Sequence, residues 1–156
     1  MTKTIPLTQG LVAIVDDKDY ELLGQYKWYA HKNTDVYYAQ RRAGKRIVSM
    51  HREILGLQHG DKQIVDHANG NGLDNRHQNL RFATPSQSVI NRRLSTRNKT
   101  GYRGVSYFQG RYRAFIYLRR EQYYLGSFTT DKEAALAYNA AAPKYHGEFA
   151  RLNVLE

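Results

Sequence analysis

Residues 111–118 read Arg-Tyr-Arg-Ala-Phe-Ile-Tyr-Leu, and this strict two-residue alternation limits the chain's folding options more than any other feature. A β-strand sends successive side chains to opposite faces. Tyr112, Ala114, Ile116 and Leu118 therefore share one face, and Arg111, Arg113, Phe115, Tyr117 and Arg119 share the other. Turn residues at Gln109-Gly110 and at 119–121 separate this run from further strands expected at 103–108 and 122–128. Thr130-x-x-Glu133 is a capping box that opens a helix. Ala134, Tyr138, Ala141 and Tyr145 recur along it at helical spacing, and Gly147 marks its stop. Pro143 removes a hydrogen bond to the Asn139 carbonyl and is expected to kink this helix or end it early. The small alanines predict close packing on the apolar sheet face, leaving the cationic face open.

Charge says what such a face is for. Lys and Arg number 24 against 14 Asp and Glu, a net charge of +10 with neutral histidines. An excess of this kind favours polyanions, because neutralising phosphates releases condensed counterions. The excess is concentrated: residues 92–120 contain nine Lys or Arg and no acid. Tyr102, Tyr107, Tyr112, Tyr117, Tyr123 and Tyr124 interleave with these cations or follow them. Arginine beside aromatics suits phosphate and base contacts, and a disordered basic tail would lack the aromatics. The chain has no cysteine, which excludes a disulfide framework and thiolate zinc sites. No segment is apolar enough to span a membrane and no N-terminal signal pattern occurs, so the expectation is an intracellular, non-secreted protein.

The first 60 residues read as a small α/β unit. A strand is expected at 11–15, a helix near 18–25 capped by Asp16 or Asp17, strands at 26–31, 35–41 and 46–50, and a short helix at 51–57. Residues 61–95 differ in texture. A strand at 63–67 gives way to Ala68-Asn69-Gly70-Asn71-Gly72, which is loop, and a strand at 79–83 follows. Thr84-Pro85 then starts a polar helix running to about residue 93. Residues 94–100 form the expected linker. The fold class is thus α+β, in parts spanning 1–60, 61–95 and 96–156.

Chemistry concentrates in residues 66–91. Cutting a phosphodiester takes an activated water and stabilisation of the leaving oxygen. A neutral imidazole, His67, can accept the proton, and Asp66 offers a hard oxygen ligand for magnesium or manganese. His51 is read as packing or a phosphate contact, and His59 and His77 as solvated loop residues. An EF-hand loop fails because Ala68 and Gly70 occupy ligand positions.

Val65-Asp66-His67-Ala68-Asn69-Gly70-Asn71 through Asn79-Leu80-Arg81-Phe82-Ala83-Thr84 resembles the ββα-metal motif of phage-type HNH endonucleases. The lead-in Met50-His51-Arg52-Glu53 and the Trp28 strands resemble that family as well. The resemblance implies a homing-type endonuclease of mobile or phage origin, acting inside a bacterial host. It implies His67 as general base, Asp66 as metal ligand, and Asn79 as the residue whose amide ties the loop. The family commonly carries a ligand Asn four residues after the Thr that starts the helix. Ser88 stands there, and Asn91, one turn later, is the nearest substitute.

Gly101-Tyr102-Arg103-Gly104-Val105, Arg111-Tyr112-Arg113-Ala114, Tyr124-Leu125-Gly126-Ser127-Phe128 and Glu133-Ala134-Ala135-Leu136-Ala137-Tyr138 resemble, in order, the Apetala-two (ethylene-response-factor) DNA-binding domain. That family lays a three-stranded sheet in the major groove. The resemblance carries DNA contact onto Arg103, Arg111, Arg113, Tyr117, Gln122 and Tyr124, and the basic approach adds Arg92, Arg93 and Arg97. Ser106, Phe115, Tyr117, Gln122 and Tyr124 replace the Arg, Glu, Arg, Arg and Trp usual in plant members, so plant site preference is not transferred. The reading is a nuclease module, then a reader, acting on double-stranded DNA with a divalent metal, Mg2+ or Mn2+. Its rivals are a non-cleaving DNA-binding regulator with an HNH module degenerate at Ser88, and an RNA-binding accessory protein.

Overall fold

The apolar run near the start of the chain pairs with a strand that hydropathy does not reveal. In the computed structural model, β1 (Thr2–Pro6) lies antiparallel to β2 (Val12–Asp16), with Thr2 opposite Asp16. Only Ile5 of β1 is buried, so its sequence carries no alternating apolar signal. All residues are described except Arg93, Thr96 and Glu156, and they form two compact units, Met1–Thr84 and Pro85–Glu156.

In the first unit β2 leads straight into α1 (Asp17–Gly24). A meander follows, β3 (Tyr29–Asn33), β4 (Val36–Ala43) and β5 (Arg46–Ser49), hydrogen-bonded in that order, and α2 (Met50–Ile54) continues directly from β5. β6 (Ile64–His67) and β7 (Leu80–Ala83) form a separate antiparallel pair joined by the polar loop 68–79. Ile5, Ala13, Val15, Leu23, Trp28, Ala39 and Met50 make one core that draws on the β1–β2 pair, α1, β4 and α2. Each large aliphatic side chain buried there is worth about 1.5–3 kcal/mol. The Trp28 indole N–H donates to the Leu23 carbonyl at 2.8 Å, so its polar atom is satisfied inside the core. Arg41 grips Glu53 through two hydrogen bonds of 2.9 and 3.0 Å and lies 3.9 Å over the Tyr26 ring, fastening α2 to β4.

The second unit begins with α3 (Pro85–Ile90) and continues with β8 (Val105–Phe108), β9 (Arg111–Leu118) and β10 (Glu121–Phe128) in an antiparallel sheet with β9 at its centre. α4 (Asp131–His146) covers one face. Ala114 and Ile116 are fully buried beneath Ala134, Ala135, Tyr138 and Ala142 of α4, as the alternation predicts. The capping box also forms: Thr130 Oγ1 accepts the Glu133 N–H, and the Glu133 carboxylate accepts the Thr130 N–H. Both hairpins turn through two left-handed residues, Gln109-Gly110 and Arg119-Arg120, the latter with φ of 51° and 72°. Gly104 is required at a left-handed turn, because a Cβ there would stand 2.2 Å from the Phe115 carbonyl oxygen.

Pro143 does not end α4 early. It lies in the last turn, where one backbone hydrogen bond is forgone and the helix continues to His146 before the Gly147 cap. The molecule has the expected α+β class, with several small antiparallel sheets and helices. Among the described residues, no helix is long and apolar enough to cross a membrane.

Candidate functional site

Loop 68–79 is rich in Asn and Asp, and its side chains bond to one another instead of to water. Asn69 Nδ2 donates to Asp74 Oδ2 at 2.8 Å, and Arg76 holds both oxygens of the same carboxylate at 2.7 and 2.6 Å. Asn69 and Asn71 each accept the backbone N–H two residues on, the Asx-turn geometry that lets Asn replace regular structure. Asn79 ties the loop together: its Oδ1 accepts from Asn69 N, its Nδ2 donates to the Asp74 carbonyl, its own carbonyl accepts from Ala68 N, and its N–H donates to the Arg76 carbonyl. The loop is also stitched to β2, with Ile14 N donating to Leu73 O and Asn75 N to Ile14 O at 2.8 and 2.7 Å. Gly72 is needed where the loop meets β4, since a Cβ would lie 2.4 Å from the Tyr37 carbonyl oxygen.

This scaffold holds one imidazole. His67 ends β6 and is buried, and its Nε2 lies 3.3 Å from Asn75 Oδ1. Asn75 is wholly buried, and its Nδ2 donates to the Leu73 carbonyl, which turns Oδ1 toward the ring. An oxygen can only accept, so the proton sits on Nε2 and the basic lone pair on Nδ1. Tyr38 and His51 complete a cluster of three rings. His51 meets His67 edge-on at 5.1 Å, and Tyr38 lies 5.9 and 5.7 Å from the two imidazoles. Burial holds both histidines neutral. The His51 imidazole is pushed down to about 3, first by burial and then by the neighbouring His67 and Arg52. His67 is lowered by burial, and its bond to Asn75 works in the opposite direction.

Asp66 precedes His67 and points to the other face of the strand. It stands opposite Arg81 in the β6–β7 register, and the guanidinium donates to Oδ2 through Nε and Nη2 at 3.0 and 2.8 Å. Ser88 on α3 and Asn91 just after it belong to the second unit, Ser88 half-buried and Asn91 buried. The sequence reading left Asn75, Asp74, Arg76 and Tyr38 unassigned, although the density of Asn and Asp in 69–79 was the available signal. His77 is not the solvated loop residue expected. Its backbone N–H donates to Asp16 Oδ2 at 2.8 Å and its Nε2 lies 3.0 Å from Asp19 Oδ2.

In the second unit the sheet face away from α4 carries Arg111 and Arg113 from β9, with Phe115 and Tyr117, and Gln122 and Tyr124 from β10. Register places Gln122 beside Tyr117 and Tyr124 beside Phe115. Tyr117 and Tyr124 are 57% and 59% exposed, too open to be core. Arg113 stacks on Phe108 at 4.0 Å, and Arg111 bonds to Ser127. Arg103, also expected to contact DNA, is half-buried in the second unit. Its guanidinium donates to the carbonyls of Ile90 and Arg92, satisfying acceptors that the end of α3 leaves without helical partners. Arg151 does the same for the Asn91 carbonyl at 2.7 Å. Arg92 and Arg97 are exposed, and Arg93 lies outside the described residues.

Three comparisons bear on these sites. A family model described as HNH endonuclease matches residues 48–89. The chain is 32% identical over 152 residues to an uncharacterized HNH endonuclease of Acanthamoeba polyphaga mimivirus, covering 95% of this chain and 78% of that protein. It is 42% identical over 72 residues to an AP2-like ethylene-responsive transcription factor of Arabidopsis thaliana, covering 44% of this chain and 15% of the factor. No solved structure matches the chain.

Proposed function

The chain belongs to the HNH endonuclease family, and on that premise we propose that it hydrolyses phosphodiester bonds of double-stranded DNA with His67 as general base. The observation that carries this reading is the imidazole fixed by Asn75 inside a loop closed by Asn79. A base must be neutral and its lone pair aimed before it can take a proton from water. Burial keeps His67 neutral at pH 7, and the Asn75 bond puts the accepting lone pair on Nδ1. Asn79 acts indirectly, holding the loop that holds the ring.

The donor chemistry suits a divalent ion at Asp66. Its carboxylate is a hard oxygen donor of the kind such ions take, and the Arg81 guanidinium holds Oδ2 at 3.0 and 2.8 Å. Mg2+ or Mn2+ bound there would supply Lewis-acid stabilisation of charge on the leaving oxygen. Arg81 would orient the carboxylate. Ser88 on α3 and Asn91 after it, the further ligands proposed from the sequence, belong to the second unit.

The second unit is proposed to read DNA through the face bearing Arg111, Arg113, Tyr117, Gln122 and Tyr124, with Arg92 and Arg97 contributing phosphate contacts. The likeness to the AP2-like factor and the open cationic, aromatic face support this together. Cleavage of supercoiled plasmid with Mg2+ or Mn2+ tests the whole reading. His67→Ala should cut roughly 100-fold more slowly or worse, the scale of a lost general base, while duplex affinity is unchanged. Equal cutting by the variant removes His67 from the mechanism. A wild-type protein that binds duplex DNA but does not cut it points to the degenerate, regulatory alternative at Ser88.

A further inference from the structure

Outside the proposed catalytic residues, three metal-ligating side chains of the first unit converge where loop 68–79 meets the start of α1. Asp16 closes β2, Asp19 lies in the first turn of α1, and His77 stands in the short 3-10 turn before β7. One donor atom from each lies within 4.8 Å of the others. Asp16 Oδ2 already accepts the His77 backbone N–H, so the imidazole is delivered to the two carboxylates by a fixed main chain.

Within this cluster the closest contact is at ion-pair distance. His77 Nε2 is 3.0 Å from Asp19 Oδ2, yet the two atoms lack the alignment of a hydrogen bond, and both are shut off from solvent. A buried ring nitrogen and a buried carboxylate oxygen that close without a hydrogen bond are costly unless something else meets both. Two ligands bound at about 2.1 Å to one ion and separated by 90–110° stand about 3.0–3.4 Å apart. The observed 3.0 Å lies within that range, so the two atoms already stand where neighbouring ligands of one ion would.

We propose that Asp16, Asp19 and His77 bind a divalent transition-metal cation, with Zn2+ the best match, as a clasp for the loop that carries Asn75 and Asn79. Two carboxylates and a neutral imidazole bring two negative charges, which a divalent ion balances. The imidazole favours zinc over magnesium or calcium, whose ligands are oxygens. Water completes the coordination. Arg76, the nearby cation, feels the charge of Asp16, but its guanidinium is held by both oxygens of Asp74. The neighbouring Asp17 is matched by Lys3 at 2.7 Å. The clasp would add to the Ile14 stitches and hold the loop at its far end, where His77 leads into Asn79.

The site is independent of cleavage and is tested without it. Metal-free full-length protein is titrated with Zn2+ alone by calorimetry, and melting is followed with and without the ion. Wild type should bind an equivalent of Zn2+ that His77→Gln and Asp19→Asn each lose or weaken at least tenfold, while Asp66→Asn retains it. An excess of about 100-fold over Kd should raise the melting temperature by roughly 5 °C or more in wild type and Asp66→Asn, and not in His77→Gln. Should His77→Gln fail to fold, His77→Cys decides the matter. With Co2+ as probe it should develop a thiolate-to-metal absorption band, and a folded Cys variant without the band overturns the site. Identical Zn2+ binding by wild type, His77→Gln and Asp19→Asn also overturns it, leaving only a misaligned ion pair. Absence of plasmid cutting by wild type would refute the nuclease reading and leave these titrations untouched.

Discussion

Replacing Asn75 by alanine separates an imidazole held for catalysis from one that is merely buried. The side chain is wholly inaccessible and makes two bonds, one to His67 Nε2 and one to the Leu73 carbonyl. Its removal takes the acceptor from the buried His67 Nε2, at roughly 1–3 kcal/mol, whereas the Leu73 carbonyl keeps the Ile14 N–H. A loss of about 1–3 kcal/mol is a sizeable share of a typical stability of about 5–15 kcal/mol, yet leaves the first unit folded under mild conditions. The kinetic effect has a different origin. With Oδ1 gone, the Asn75 acceptor that favours a proton on Nε2 is lost, and the ring can present the wrong nitrogen to water. Cutting should slow about 10- to 100-fold, short of the full general-base contribution of 10²–10⁴. Asn75→Asp keeps an acceptor in place and should restore the tautomer. Its carboxylate favours the imidazolium, however, so the activity profile should move to higher pH. Urea melts give the stability term, single-turnover plasmid cutting gives the rate, and imidazole 15N shifts report which nitrogen carries the proton. Asn75→Ala that cuts within twofold of wild type, with His67 still protonated on Nε2, would refute the assignment.

Acid should unfold the first unit earlier than its carboxylates alone require. His51, held down to about 3, and His67, also lowered, are neutral when buried but take up protons once unfolded below about pH 6.5. Their contribution is complete above that pH and is lost as pH falls toward 3, at up to about 1.4 kcal/mol per pH unit for each histidine. Urea midpoints flat between pH 7 and 4.5 would contradict this, and His51→Phe should flatten the slope. Arg113→Ala should weaken duplex binding by about 1–3 kcal/mol. If the residue touches only phosphate, the loss is uniform across sequences and the salt slope falls by roughly 0.9. Arg120→Gly should stabilise the second unit by about 1 kcal/mol, because a side chain at φ of 72° is strained where glycine is not. Gly104→Ala, with its Cβ 2.2 Å from a carbonyl oxygen, should instead prevent the native packing of that unit, seen as loss of the thermal transition.

What could be read in the sequence was whatever a single periodicity or a local rule determines. Ala114 and Ile116 announced the inner face of β9 because a strand has only two faces, and Thr130 with Glu133 announced the start of α4 because a cap is completed within four residues. β1 escaped notice because its one inward apolar residue, Ile5, makes no pattern until β2 lies beside it. Pro143 was misjudged because a local rule was applied without position: in the last turn of a helix the missing bond is a small loss. The partners of Arg103 and His77 stay hidden in the sequence for a third reason. Composition told correctly that one is cationic and the other polar, but their partners are set by tertiary placement. The carbonyls of Ile90 and Arg92 await donors at a helix end, and Asp16 and Asp19 stand about sixty positions earlier in the chain than His77. The same limit applies at the candidate site. His67 and Asn79 stood out through their resemblance to a motif, whereas Asn75 looked like one more polar loop residue. Its difference lies in burial. A loop amide with no exposure must satisfy both its ends within the protein, and here one end fixes the Leu73 backbone and the other selects the imidazole tautomer. Polar residues that a sequence assigns to solvent therefore become informative once they are found buried, because each enclosed donor or acceptor must be matched by a specific partner.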